Sequence, residues 1–258
     1  MDDSDRYLKH ILFPGIGEAG QEKLGRSSVV VVGCGGLGST AAGALARAGI
    51  GRLRVIDRDL IEYHNLHRQV LYDEADVEQR VPKAIAAERH LKAANSSISV
   101  EGVVADVNPR NVEKLVEGAD VVVDGLDNLE GRYLINDVAL KLHIPWVYGA
   151  AVASFGMAMA ILPGRTPCIR CLFSSLPLPE TRVSSDTVGI LNAVPIVVGA
   201  LQAAEAIKVL LGQATLGLLT VDLWSGDFQR LAVGGPSPDC PACQGRYEFL
   251  DARSNVQA

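Results

Sequence analysis

Two kinds of chemistry are written into this chain by residue type and spacing: handling of a charged nucleotide, and binding of a metal ion by thiolates. The glycine loop Gly33-Cys34-Gly35-Gly36-Leu37-Gly38 directly follows the apolar run Val29–Val32. A loop nearly free of side chains lets a phosphate sit against bare backbone N–H groups, and a helix after it adds the positive end of its dipole. Asp57 stands nineteen residues beyond Gly38, at the end of a second apolar run, Leu53–Ile56. A ribose-binding acid belongs there in a dinucleotide fold. On these residues alone the occupant is NAD, or the glycines form a turn made only for packing.

The next segment changes the occupant. Asp57-Arg58-Asp59 leads to Asn65, Arg68 and Gln69, and Lys83 lies just inside a helix after Pro82. A pyrophosphate bridge needs no such pair of cations. A triphosphate does, because negative charge develops on the departing pyrophosphate; Arg68 as a planar fork and Lys83 as a point charge suit it. Taken singly, each cation reads as a solvated surface residue; behind a filled glycine loop they read as phosphate ligands. Asp127-Asn128 follows the strand-like run Asp120–Asp124. A carboxylate there could hold Mg²⁺ together with phosphate oxygens, or Asp127 could cap the helix containing Arg132 and Asn136.

Cys168-x-x-Cys171 and Cys240-x-x-Cys243 are two complete pairs in turns that contain Pro167 and Pro241. Four thiolates suit tetrahedral Zn²⁺ with no position left open, which makes the expected ion structural. The pairs lie 68 residues apart, so the ion would clip distant segments together. The alternative is a redox dithiol, which normally sits beside a βαβ helix start. The fifth cysteine, Cys34, reads as a small packed residue. The histidines His10, His64, His67, His90 and His143 show no ligand spacing, and neither His64 nor His67 is assigned as a base.

These residues need a scaffold, and the chain supplies one by alternation. Strand-like segments at Val29–Val32, Leu53–Asp57, Ile98–Val104, Asp120–Asp124 and Trp146–Tyr148 alternate with helical patterns at Gly38–Ala48, Val81–Ala94, Pro109–Glu117 and Gly131–Leu142. That rhythm predicts a doubly wound, mainly parallel α/β sheet. Asn108-Pro109 supplies a cap and a first helical position. The small residues Ala41 to Ala44 let the first helix pack closely on the sheet. After Gly149, Val152–Leu162, Gly217–Leu223 and Phe228–Val233 predict an antiparallel extension. Ser174–Asp186 reads as a mobile crossing loop, and Met1–Asp5 and Ala252–Ala258 as disordered tails.

The 258 residues suffice for one large domain: an N-terminal helical arm (1–27), a nucleotide-binding part (28–150), and antiparallel strands, long apolar helix and zinc site (151–250). A net charge of −6 and the lack of a basic stripe exclude nucleic acid as the main partner. The acidic start has no apolar h-region, so a cytoplasmic protein with reduced thiols is expected. Thr187–Ala204 carries no charge over 18 residues, at the lower edge of a membrane span. Pro195 and Asn192 interrupt it and Glu205 and Lys208 end it, so a buried helix is expected and no membrane partner.

In their order these pieces resemble the ThiF/MoeB/HesA family, relatives of ubiquitin-activating enzymes. The likeness runs from Arg6 to Leu250. It includes Arg6-Tyr7 with His10-Ile11-Leu12, Gly20-Gln21-Glu22, the glycine loop, Asp57-x-Asp59, Asn65-Leu66-His67-Arg68-Gln69, Pro82-Lys83, Asp127-Asn128, Gln202-Ala203-x-Glu205-Ala206-Ile207-Lys208 and both cysteine pairs. The resemblance implies a Rossmann-like fold and an ATP-dependent adenylyltransferase, a homodimer. Its substrate would be the C-terminal glycine carboxylate of a small β-grasp sulfur-carrier protein ending in Gly-Gly.

By similarity, Gly33, Gly35, Gly36 and Gly38 cradle the phosphates, with Gly36 approaching them, while Asp57 holds the ribose and Asp59 lies beside it. His64, Asn65, Leu66, His67, Arg68, Gln69 and Lys83 line the nucleotide, with Arg68 and Lys83 on the phosphates. Asp127, beside Asn128, holds Mg²⁺. The chain departs from the family pattern twice. Lys9 stands where members often donate an arginine to the neighbouring subunit's ATP, and Ser184-Ser185 occupy the neighbourhood of a cysteine used for covalent linkage. Sulfur is therefore expected from a separate donor. The other readings are an NAD-dependent oxidoreductase and a non-catalytic scaffold for a ubiquitin-like protein.

Overall fold

The alternating faces of one valine run organise the molecule. In the strand Ser28–Val32 the residues Val29 to Val32 are all within 1% of complete burial. Successive side chains of a strand point to opposite faces. Val29 and Val31 accordingly pack in one core with the helices Gly36–Arg47, Lys83–Ala94 and Ala193–Leu211, and Val30 and Val32 in another with the helix Leu129–Lys141. A strand covered on both sides reads as a continuous apolar run. The computed structural model describes residues 3–173 and 185–252.

The strands are β1 (Ser28–Val32), β2 (Arg52–Ile56), β3 (Ser99–Val103), β4 (Val121–Asp124), β5 (Trp146–Val152), β6 (Phe155–Ile161), β7 (Leu218–Asp222) and β8 (Asp227–Leu231). They form one sheet in the order β3-β2-β1-β4-β5-β6-β7-β8. Pairing is parallel from β3 to β5 and antiparallel from β5 to β8. The doubly wound sheet and its antiparallel extension are therefore both present. Strand order reverses between β1 and β4, and a ligand crevice belongs outside the carboxyl ends of the strands at that point.

Two expectations are corrected and a third is extended. Asn108-Pro109 does not begin the helix: the Asn108 carbonyl accepts from Asn111 and Val112 N–H in a turn, and the helix runs Val112–Val116 with Asn111 before it. The long helix does not stop where the uncharged run stops, at Glu205. The helix extends over Ala193–Leu211, and buried Glu205 is bonded to Lys208 and to Thr215 N–H within and just beyond it. Finally, the small-residue helix Gly36–Arg47 packs on the sheet as expected and is crossed by this long helix as well. A Cβ on Gly199 would lie 2.5 Å from the Leu37 carbonyl oxygen, so glycine sets how closely the two helices cross.

The long helix is extended and apolar enough to cross a membrane, yet it is half-buried against β5, β6 and its helical partner. The N-terminal arm contains helices Asp3–Arg6, Leu8–Ile11 and Gly17–Arg26. Asn95 Nδ2 donates to the Tyr7 hydroxyl at 2.8 Å, and Gln21 Nε2 to Ala48 O at 2.8 Å. Both contacts fix the arm at the C-terminal ends of the helices Gly36–Arg47 and Lys83–Ala94. Residues 1–2 and 253–258 of the expected tails, and 174–184 of the expected crossing loop with Ser184, lie outside the described residues.

Candidate active site

The glycine loop is shaped by backbone meeting backbone. Gly33 has φ +86°, and a Cβ on Gly38 would fall 1.9 Å from the Gly33 oxygen. A Cβ on Gly125, just past β4, would fall 2.1 Å from that oxygen, so the Gly33 carbonyl is enclosed between two other glycines. Gly36 faces the cleft but also abuts Pro195, whose Cβ would be 2.9 Å from an added Cβ. Asp57 Oδ2 accepts from Cys34 N–H at 2.7 Å and Oδ1 from Asp59 N–H at 2.8 Å. It thereby holds the loop, and a carboxylate with about four lone-pair sites retains acceptors for a ribose. Burial pushes the Asp57 carboxyl up, opposed by Lys83 and the two backbone donors. Burial pushes the Cys34 thiol up to about 12, which fits a packed residue and no nucleophile. Tyr72, which no sequence motif marks, donates its hydroxyl to Cys34 O at 2.8 Å.

Both cations line the cleft together with the loop. Lys83, 6% exposed, pairs through Nζ with Asp59 Oδ2 at 2.9 Å, and its backbone N–H donates to Asp59 O at 2.9 Å. A buried ammonium requires such a partner, and a solvated surface lysine does not describe it. Arg68 is folded back, with Nη1 donating to His64 O at 2.7 Å and contacting His67 Nε2 at 2.9 Å. Partial burial and the Arg68 charge hold His67 below the usual histidine range. Asn65 is buried and its Oδ1 accepts from Glu62 N–H at 3.1 Å, closing the turn before Arg68. Gln69 is 3% exposed and its Oε1 lacks a hydrogen-bond partner. Leu66 packs into the core, His67 O accepts from Asn192, and neither lines the cleft. Gly38 lies behind the loop.

Asn128, not Asp127, caps the helix Leu129–Lys141: its Oδ1 accepts from Gly131 N–H at 2.8 Å. Asp127 is left exposed on the cleft wall, 3.3 Å from the Asn128 amide. Beneath it Asp124, fully buried, is paired with Arg132 at 3.1 Å and bonded to Leu126 N–H at 2.9 Å. Arg132 also donates to Leu126 O at 2.6 Å and lies over the Tyr148 ring. This buckle fixes the turn that presents Asp127. No pattern in the sequence marks Asp124 and Arg132 as partners.

Gly36, Asp57, Asp59, Arg68, Lys83 and Asp127 line one cleft of about 1410 Å³, whose walls also include Tyr133, Tyr148, Phe173 and Phe249. Lys9 does not line it. The arm sits at the opposite ends of two twelve-residue helices from the loop and Lys83, and such a helix is about 18 Å long.

The four cysteines converge. Sγ separations are 3.8 Å (Cys168–Cys171), 3.6 Å (Cys168–Cys240) and 3.5 Å (Cys171–Cys243). Four sulfurs at a Zn–S distance of about 2.3 Å around a tetrahedral ion stand about 3.8 Å apart, so the cradle fits zinc. Burial pushes the Cys168 and Cys243 thiols up, Cys243 to about 12. A bound cation reverses that preference by stabilising thiolate.

Fold and cleft together define a class, a doubly wound α/β protein with cations and carboxylates gathered around a glycine loop at the switch point of its sheet. The ThiF family matches residues 7–242. The chain is 39% identical over 256 residues to the sulfur carrier protein ThiS adenylyltransferase of Bacillus subtilis, covering 98% of this chain and 76% of that protein. It is 44% identical over 242 residues to the SAMP-activating enzyme E1 of Haloferax volcanii, covering 93% and 88%. A sulfur carrier protein adenylyltransferase of Thermus thermophilus is 41% identical over 251 residues, covering 94% and 91%. Among solved structures, Escherichia coli MccB with ATP superposes with a TM-score of 0.75 at 27% identity, over 87% of this chain and 69% of that one. The chain belongs to the ThiF family.

Proposed function

We propose that this protein is an ATP-dependent adenylyltransferase that activates the C-terminal glycine carboxylate of a small ubiquitin-like sulfur-carrier protein. The observation that carries the reading is family membership together with a cleft that the glycine loop, Arg68, Lys83 and Asp127 line and whose volume of about 1410 Å³ leaves room for a second substrate. A carboxylate oxygen of the carrier attacks the α-phosphorus of ATP. The new O–P bond forms as the bond from the α-phosphorus to the bridging oxygen breaks, and that electron pair leaves with pyrophosphate. A terminal carboxyl, with a reference pKa of about 3.5, is already ionised at neutral pH, so the step needs no general base.

Catalysis then rests on positioning and charge. Lys83 holds phosphate oxygens in place of Asp59, Arg68 swings off His64 O to do the same, and Asp57 accepts from the ribose. The exposed Asp127 carboxylate, unencumbered by capping, suits Mg²⁺, which supplies neutralisation of charge on the phosphates. Zinc on the four cysteines is structural. Lys9, remote from its own cleft, would act on the ATP of the second subunit of a homodimer. Sulfur comes from a separate donor, and the cytoplasm is the proposed compartment.

The test is ATP–pyrophosphate exchange by the purified protein with Bacillus subtilis ThiS as probe. Exchange is expected, and Arg68→Ala or Asp127→Ala should cut it at least ~10²-fold without loss of fold. ATP binding without exchange would favour a scaffold; preference for NAD over ATP would favour an oxidoreductase.

A further inference from the structure

Part of the cleft is lined by residues that nucleotide handling does not need. The cleft, at about 1410 Å³, exceeds the roughly 300–1,000 Å³ of a pocket for one small ligand. Only 5% of the chain is aromatic, yet Tyr133, Tyr148, Phe155, Phe173 and Phe249 all line this cleft. Rigid aromatic walls offer contact area at low entropic cost and are favoured where a protein segment is gripped.

Phe249 is the most elaborately held of them. It sits on the short helix Glu248–Asp251, where its backbone N–H donates to Asp137 Oδ2 at 2.8 Å. Its ring meets Tyr133 with 4.9 Å between centroids, and the Arg170 guanidinium lies 5.6 Å from its centre. Arg170 also reaches Glu248 at 2.9 Å, while Leu250 is sunk in the core beside the helix Leu129–Lys141. Asp137 and Arg170 are buried with Asp137 Oδ1 and Arg170 Nε and Nη1 lacking hydrogen-bond partners. Burying such groups is costly. What the arrangement secures is the place of one aromatic ring on the cleft wall.

We propose that Phe249 is a specificity-determining residue of the adenylation site, forming the wall against which the protein substrate's extended C-terminal peptide lies. Asp137 and Arg170 are positioning residues that act through it. The inference rests on the adenylyltransferase reading, and supplies the contact by which the carrier's tail is aligned on its way to the α-phosphate.

The test varies Bacillus subtilis ThiS and ATP separately in pyrophosphate exchange, and measures ThiS binding without nucleotide by calorimetry. Phe249→Ala should raise the KM for ThiS and weaken its binding about tenfold or more, as for an aromatic anchor. The KM for ATP should stay within about twofold, since remote binding is lost without change at the nucleotide. Phe249→Tyr should restore ThiS binding, Arg170→Ala should shift the KM for ThiS alone, and Phe249→Leu replaces the alanine variant if that one unfolds. An unchanged KM for ThiS in the Phe249 variant, or an equal rise in the KM for ATP, overturns the proposal while leaving the reaction intact. No exchange by the unsubstituted protein overturns both together.

Discussion

Gly38→Ala probes whether the loop acts through its backbone position. The new Cβ would stand 1.9 Å from the Gly33 carbonyl oxygen, 1.5 Å short of the 3.4 Å at which ordinary contact begins. That oxygen cannot retreat, because a Cβ on Gly125 would already be only 2.1 Å from it. The loop itself must therefore shift by more than an ångström. Misplacement of that size costs about 10²-fold in rate, or about 2.8 kcal/mol at about 1.4 kcal/mol per tenfold. Fluorescent-ATP titration and pyrophosphate exchange should both report the loss. Gly25→Ala is the matched control: nothing lies within 4 Å of its added Cβ, at an exposed position of the helix Gly17–Arg26. It should leave ATP binding intact and raise stability by about 0.5–1 kcal/mol. ATP affinity and exchange in Gly38→Ala equal to those of the unsubstituted chain would refute the reasoning.

Metal analysis should give one zinc per chain, and Cys168→Ser or chelation should remove it and lower the melting temperature, since structural zinc contributes on the order of 10 kcal/mol; a metal-free chain with unchanged melting would contradict the clip. Burial raises Asp137 from 3.8 to about 6, against the Phe249 N–H and Arg170. The native state then binds the extra proton, so this stability is present below about pH 4 and lost as pH rises through about 6. Asp137→Asn should be more stable than the parent at pH 7.5 by at most about 3 kcal/mol, with the gap closing near pH 4; parallel pH profiles in urea unfolding would argue against it. Arg132→Met leaves Asp124 buried without its cation and should cost about 3–5 kcal/mol, most of it recovered by adding Asp124→Asn; a neutral single variant would show that the buckle is dispensable.

What the sequence made legible follows from what local pattern can encode. Val29–Val32 and Gly33–Gly38 announce a strand, a turn and a helix because each depends on neighbours in the chain. Asp57, Lys83, Asp127 and the paired cysteines stand out in the sequence because their chemistry needs fixed residue types at recognisable spacings, and the fold brings the first three to one cleft and the four cysteines together. Long-range partnership leaves no such trace. Nothing near Asp124 names Arg132, nothing near Phe249 names Asp137, 112 residues away, and Tyr72 holds Cys34 through a backbone oxygen that any residue could offer. The sequence leaves Asp127 open between a Mg²⁺ ligand and a helix cap, and the bond from Gly131 N–H to Asn128 gives the cap to its neighbour.

The separation of the two cysteine pairs imposes an order on events at the ribosome. Cys168 and Cys240 are 72 residues apart, and β1 to β6 precede the first pair while β7 and β8 intervene before the second. At about 5–20 residues per second, synthesis of that interval takes roughly 4–14 s. Throughout it the parallel half of the sheet can assemble while Cys168 and Cys171 wait as an incomplete ligand pair. Capture of the proposed zinc would thus be a late step that registers arrival of the last strands, because a nascent chain that stalls before Cys240 cannot complete the cradle.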